Sequence, residues 1–254
     1  MPDLFDGEKP LEVRVVEAEA RVLLGSASKH AAQVIIADPP YGTPLEPTHF
    51  SAEGFFARVQ HALHPTGALY LFTRWDMFPS WAYTLPEGLI VENVIVWHKE
   101  GSAVQQTSNV PVHTFAFRHE FILMITKGNH RLRGERFANV WHLPRVPKPK
   151  VPGQKPVNII RALIKASSDP GDIVMDPFCG SGTTGEAAGG RVAWLGDIDP
   201  AMVQLTCDRL GVTNHGVAVP REKPFPACPI FGVVPPAPHL WGLHPEDLAE
   251  FKAG

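Results

Sequence analysis

At 254 residues, with 44% apolar and 19% charged positions, the chain has the make-up of a folded domain, which excludes a fibre or a wholly disordered tail. Its formal charge of -3 neither requires nor excludes a nucleic-acid partner, because binding depends on where positive charge is concentrated. Cys179, Cys207 and Cys228 are odd in number and lack CxxC spacing, so no metal site is expected, and reduced thiols without a leader or a long apolar run predict a cytoplasmic protein that spans no membrane.

In chain order, residues 22–24 predict a short strand and 34–37 a second, stopped by Asp38-Pro39-Pro40, since prolines remove backbone donors and restrict the residue before them. Asp38 is thereby placed at the carboxyl end of a buried strand, where open parallel sheets hold ligands. Residues 52–63 repeat apolar positions at helical spacing, and 68–72 read as a buried strand. This alternation predicts an α/β, doubly wound sheet with right-handed crossovers. Strands are expected at 91–97 and 121–126, with the intervening segment a loop over the active face. Residues 127–153 are strongly basic. A helix at 158–166, a strand at 173–175, a glycine-bearing turn into a helix, a strand at 192–195 and a helix at 200–210 complete a catalytic domain over 20–210. The proline-rich segment 211–254 reads as an extended tail.

Two motifs carry chemistry. In DPFCGSGTTGEAAGGRVAWLGDID, Gly180 and Gly182 let the backbone turn closely around a ligand, and Thr183 and Thr184 can cap the helix that follows. The next strand ends at Asp197, placed to accept hydrogen bonds from ribose hydroxyls as in Rossmann-type sites, whereas Asp199 before Pro200 is explained as an N-cap. There is no lysine of the GxxxxGK[ST] type, which argues against a nucleoside triphosphatase.

The second motif is Asp38-Pro39-Pro40-Tyr41. An aromatic amino group is a poor nucleophile because its lone pair is delocalised into the ring. A carboxylate from Asp38 and a carbonyl from Pro39 that accept its two N–H groups would turn that lone pair on a methyl donor and suit the positive charge developing on nitrogen. Tyr41 can stack on an extracted base.

In these residues the chain resembles the DNA amino-methyltransferases of the beta order, in which the tetrad precedes the glycine turn. The likeness rests on ADPPY (37–41), KP (155–156) and GDIVMDPFCGSGTTGEAA (171–188), extended by RHEFILMITKG (118–128) and WLGDIDP (194–200). It implies a Rossmann-like, seven-stranded, mostly parallel sheet with one antiparallel strand near an edge, and S-adenosyl-L-methionine as cofactor. It implies further that Lys155 and the turn Asp176, Phe178, Cys179, Gly180, Ser181, Gly182, Thr183, Thr184 surround the cofactor with Asp38, that Phe178 lies by its adenine and that Asp197 meets its ribose. One departure is LGS at 24–26, where relatives often carry glycine-aspartate; Ser26 is the residue left to make that contact.

Double-stranded DNA is the expected partner, with 127–153 a compact target-recognition segment. Arg131, Arg133, Arg136, Lys148 and Lys150, and Lys99 outside that segment, are the expected DNA contacts. A homodimer and a partnering restriction endonuclease are both compatible with the sequence. Trp97 reads equally as core, and His119-Glu120 as pocket wall or strand brace. The resemblance favours adenine N6 over cytosine N4, because in that family DPPY goes more commonly with the former and SPPY with the latter. A catalytically inactive DNA-binding protein, and an RNA or protein amino-methyltransferase, are the alternatives of other classes. Cytosine C5 chemistry lacks its Pro-Cys nucleophile.

Overall fold

A computed structural model describes residues 8–40, 52–101, 117–134 and 136–217. Among these, nine strands form one sheet: β1 (Glu12–Glu17), β2 (Ala32–Ala37), β3 (Leu63–Thr73), β4 (Ile90–Glu100), β5 (His119–Thr126), β6 (Val140–Pro144), β7 (Ile173–Asp176), β8 (Val192–Asp197) and β9 (Asn214–Val217). Their spatial order is β6-β4-β5-β3-β2-β7-β8-β1-β9. Every pairing is parallel except those of β5 with β3 and β4. Strands β4 through β1 make the expected seven-stranded arrangement with its one antiparallel strand, and β6 and β9 widen it by one strand at each edge.

The helices are α1 (Ala20–Ser26), α2 (Ala52–Ala62), α3 (Phe78–Tyr83), α4 (Val157–Ser167), α5 (Thr183–Ala187) and α6 (Pro200–Leu210). The expected strand at 22–24 is corrected to the helix α1. Its buried positions, Ala20, Leu23 and Leu24, follow the three-and-four spacing of a helical face. The strand at this point of the chain lies earlier, in EVRVVE, and pairs with β8. The sheet thus begins before residue 20 and, through β9, continues past 210. The expected 211–254 tail lies outside the described residues beyond Val217. Asp199 caps α6, accepting the amide of Ala201 at 2.8 Å, and Gly211 ends that helix in the left-handed region.

Strand β2 is buried along its whole length and sends alternate side chains to the two faces. Val34 and Ile36, with Tyr70 and Phe72 of β3, meet Ile159, Ile160 and Leu163 of α4 on one face. Ile35 and Ala37, with Leu69 and Leu71, meet Phe55, Phe56 and Val59 of α2 and Leu23 and Leu24 of α1 on the other. From β2 the chain crosses to β3 on one side, and from its neighbour β7 it crosses to β8 on the other. The carboxyl ends of β2 and β7 therefore flank a topological switch point, the crevice where open α/β sheets bind ligands. Among the described residues no helix is long and apolar enough to cross a membrane.

Two residues are tightly constrained by this core. A Cβ on Gly67 of β3 would lie 2.7 Å from the carbonyl oxygen of Gln33 and 2.9 Å from Leu63 Cδ1, so the ladder between β2 and β3 has no room for a side chain. Asp176, the last residue of β7, is buried. Burial raises its pKa to about 7, against hydrogen bonds from the Thr184 hydroxyl and the Phe178 amide that favour the anion, with repulsion from Asp38 and Asp197 adding to the rise.

Gly67→Ala is expected to destabilise the fold by roughly 1–3 kcal/mol, because overpacking against backbone outweighs the ~0.4–1 kcal/mol that alanine gains by restricting the unfolded chain. Thermal unfolding measures this; a raised midpoint would contradict the close approach. For Asp176 the folded chain keeps a proton that the unfolded chain loses near the ordinary value of 3.8. Stability present below that value is lost as pH rises through about 7. Asp176→Asn should accordingly flatten the decline in melting temperature between about pH 4 and 7 by a few °C, read by calorimetry across that range.

Candidate active site at the sheet switch point

A cavity of about 780 Å³ occupies this crevice, within the ~300–1,000 Å³ range of small-molecule sites. The tetrad and the glycine turn, far apart in sequence, both face it: Asp38, Pro39 and Pro40 from the end of β2, and Asp176, Phe178, Cys179, Gly180, Ser181, Thr183 and Thr184 from the end of β7. Asp197, at the end of β8, and Lys155, just before α4, close the ring. Gly182 belongs to the turn without lining the cavity. Tyr41 lies outside the described residues.

The turn is shaped by α6. Thr206 donates to the carbonyl of Gly180 at 2.8 Å, and Arg209 reaches the carbonyl of Ser181 at 2.9 Å while its guanidinium pairs with Glu186 at 2.7 Å. Gly180 and Gly182 take φ of 49° and 79°, and a Cβ on Gly182 would stand 3.0 Å from Thr206 Cγ2. Glycine is required there by both conformation and space. The capping role expected of Thr183 and Thr184 is corrected: α5 has no side-chain cap. Thr184 instead donates to Asp176 at 2.5 Å and Thr183 accepts from Arg209 at 3.2 Å, so both hydroxyls fasten the turn to its neighbours. Buried Cys179 has its thiol pushed well above its usual pKa, first by burial and then by Asp176, which keeps it protonated and inert.

Asp197 accepts the Gly180 amide at 2.9 Å through one oxygen and the Asp199 amide at 3.0 Å through the other. Burial raises its pKa more than these amides lower it. Each oxygen retains acceptor capacity toward a ligand. Ser26, the residue left for the contact usually made by glycine-aspartate, does not line the cavity; its hydroxyl donates to the Leu23 carbonyl at 2.7 Å. Glu19, at the start of α1, is the acidic residue that does reach it. Its position directly after β1 was the available signal, hidden by reading the strand one element too late.

Lys155 is buried, 2.7 Å from Asp38 Oδ2 and 3.3 Å from Glu120 Oε2. Burial disfavours its ammonium, but the two carboxylates outweigh that cost and raise its pKa. Lys99, expected as a DNA contact, is largely buried, ion-paired with Glu120 and 5.0 Å from the Trp97 ring centre, and it lines a second cavity beside the first. Its pKa is lowered by burial despite Glu120. Trp97 is core and donates to the Leu143 carbonyl at 2.8 Å. Glu120 separates the cavity from a second one of about 420 Å³, whose lining includes Trp75, Phe117, His119 and Arg145.

The direction of β5 divides the basic segment. Leaving β5 at its Thr126 end puts the chain at the end of the sheet opposite Asp38, and there Arg133 pairs with Asp169 at 3.0 Å and donates to the Ser167 carbonyl at 2.8 Å. Arg131, whose carbonyl also accepts from Arg133, lies at that far end. Arg136 is exposed on the way back. Strand β6 then returns alongside β4; Arg145 lines the second cavity, and Lys148 and Lys150 are exposed in a segment whose Val146 and Pro149 line that cavity and whose Val151 lines the first.

Comparison with known proteins agrees with this geometry. The DNA methylase family model, of N6 and N4 type, matches residues 32–191. The DNA adenine methyltransferase YhdJ of Escherichia coli (strain K12) is 25% identical over 253 aligned residues, covering 79% of this chain and 83% of the relative. The type II methyltransferase M.HpaI of Haemophilus parainfluenzae is 27% identical over 68% of this chain and 65% of its own length. Among solved structures, TTHA0409 of Thermus thermophilus in complex with S-adenosyl-L-methionine superposes with a TM-score of 0.63 at 22% identity, covering 82% of this chain and 99% of that one. The cytosine-N4-specific PvuII DNA methyltransferase gives 0.61 at 14% identity, covering 80% and 89%. The last two establish a shared fold, that of DNA methyltransferases. With its family match spanning the tetrad, the antiparallel strand and the glycine turn, the chain belongs to the N6/N4 DNA methylase family.

Proposed function

We propose that the protein transfers the methyl group of S-adenosyl-L-methionine to the exocyclic amino group of a base in double-stranded DNA, with adenine N6 the favoured target. The observation that carries this reading is that Asp38, held by Lys155 at the end of β2, opens on the same cavity as the glycine turn and Asp197.

The cavity's charge suits that cofactor. Among the described residues its lining contains the carboxyl groups of Glu19, Asp38, Glu120, Asp176, Asp197 and Asp199, against one cation, Lys155, which is already paired. Such a lining favours a ligand carrying positive charge and disfavours a polyphosphate. Ile36, Phe72, Ile160, Phe178 and Met202 add apolar wall for an adenosyl group. When bound, S-adenosyl-L-methionine supplies a methyl carbon activated by its sulfonium centre. Asp38 and the Pro39 carbonyl accept the N–H groups of the target and direct its lone pair toward that carbon. The cofactor would supply the methyl carbon to that nitrogen and keep the carbon–sulfur electron pair as its leaving group. The nitrogen then sheds one proton, and Asp38 meets the transient positive charge.

Adenine is supported by the Asp-led tetrad and by the adenine specificity named for YhdJ. Cytosine N4 uses the same chemistry, and the PvuII enzyme's likeness keeps it the second reading. On the DNA side, Lys148 and Lys150 are the better-placed phosphate contacts, joined by Arg145, because they stand at the cavity end of the sheet.

Methyl transfer from radiolabelled cofactor to native and denatured DNA, followed by nucleoside chromatography, tests the chemistry. N6-methyladenine is expected from the intact protein, with a loss of about 100-fold or more in Asp38→Ala. N4-methylcytosine would change the base, and no methylated nucleoside from a folded, cofactor-binding protein would overturn the function. For the DNA contacts, the double variant Lys148→Ala, Lys150→Ala should reduce the slope of log affinity against log salt by about 1.8, whereas Arg133→Ala should leave the slope unchanged. Fluorescence titrations across a salt series give both slopes, and the reverse pattern would move the DNA to the other end of the sheet.

A further inference from the structure

Four charged side chains from four separate segments of the chain form one row through the wall between the two cavities. Lys99 of β4 touches Glu120 Oε1; Glu120 Oε2 is 3.3 Å from Lys155 Nζ; and Lys155 Nζ is 2.7 Å from Asp38 Oδ2. The exposed fractions of Lys99, Glu120 and Lys155 are only 10%, 14% and 7%. Both ammonium groups are also held against aromatic faces, Lys99 at 5.0 Å from the Trp97 ring centre and Lys155 at 5.2 Å from that of Phe72.

Stability is a poor reason for such a row, since apolar replacements of buried ion pairs are commonly neutral or stabilising. Neutralising Asp38 is not a reason either, because Lys155 at 2.7 Å already supplies its counter-charge. What Glu120 adds is a second carboxylate beside the same ammonium, 3.3 Å away through an oxygen that has no hydrogen-bond partner, and what Lys99 adds is the counter-charge that lets Glu120 remain ionised under cover. With Asp38 as its one carboxylate partner and the Gly153 carbonyl at 3.3 Å besides, a buried Lys155 would compete strongly with any N–H group brought to that carboxylate. Shared between two carboxylates, it can lean toward Glu120 as a target amino group arrives without becoming an unpaired buried cation.

We propose that Glu120 is a positioning residue for methyl transfer: it shares Lys155 with Asp38 and so sets the orientation and acceptor strength of the carboxylate that receives the target amino group. This rests on the methyl-transfer reading above. Glu120 acts through Lys155 and needs no contact with the reacting atoms.

The test compares the full-length wild type with Glu120→Gln and with the double variant Lys99→Met, Glu120→Gln, measuring single-turnover methylation of DNA, cofactor affinity and melting temperature. Glu120→Gln is expected to lose both stability and rate, since it strands Lys99. The double variant removes both charges of that outer pair; it should regain melting temperature yet stay at least about tenfold slow when the cofactor is saturating, so that a change in cofactor affinity from losing one cavity carboxylate does not enter the rate. Recovery of the wild-type rate along with stability would show a structural brace and overturn the proposal. A rate loss wholly accounted for by weakened cofactor binding would overturn it as well. If the wild type itself transfers no methyl group to DNA, the functional reading fails and takes the proposal with it, an outcome distinct from an active wild type matched by the double variant.

Discussion

The parallel pairing of β2 with β7 is the constraint on which the site depends. Ala32, Val34 and Ile35 register against Ile173, Val174 and Met175, so the two strands finish side by side although long stretches of chain separate them. Because their onward connections lead to strands on opposite sides, the gap between their ends is a topological switch point of the sheet. Prolines stop β2 immediately after Asp38, and a left-handed glycine turn follows β7 shortly after Asp176. A slip in this register would separate the carboxylate from the turn and turn the buried side chains of β2 to the wrong faces.

Around that gap the protein gathers carboxyl groups and then manages them in different ways. Asp176 is desolvated enough to hold a proton near neutrality. Asp197 is tied by backbone amides, and Asp38 by a buried ammonium. Helix α6 contributes no reacting group, yet Thr206 and Arg209 fix the shape of the glycine turn. Its positioning role explains why a helix beyond the last motif matters to the cavity. The result is an acidic pocket prepared for a cation, beside a second cavity rimmed by Trp75, Phe117 and Arg145.

The antiparallel strand has a consequence for any DNA partner. Because β5 runs against its neighbours, Glu120 enters at the cavity end, and the arginines that follow the strand emerge at the other. Arg131 and Arg133 look like part of one basic cluster with Lys148 and Lys150 only when the chain is laid out in a line. In space Arg133 braces the end of α4, while β6 carries the later lysines back to the cavity. Positive charge near the cavity mouth is thus supplied by residues after β6.

Residue order alone specified the elements whose patterns are local and the motifs whose chemistry is written in residue type. The buried run of β2, the helical spacing of α2 and α4, the capped helix α6, the tetrad and the glycine turn with Asp197 were all legible there. Where local pattern was ambiguous, tertiary packing chose: three apolar residues at 22–24 fit a strand in isolation, but Ala20, Leu23 and Leu24 bury one helical face against the sheet. Partner choice also belonged to the fold. Thr184 could cap a helix or bind a carboxyl group, and nothing near Lys99 in sequence names its partner; the fold pairs them with Asp176 and Glu120, because a buried polar group must be satisfied by whatever the topology brings within reach. The row from Lys99 to Asp38 has no sequence signature for the same reason: its members meet only after four segments have packed, and the energy that orders them is set by their mutual distance and exclusion from water.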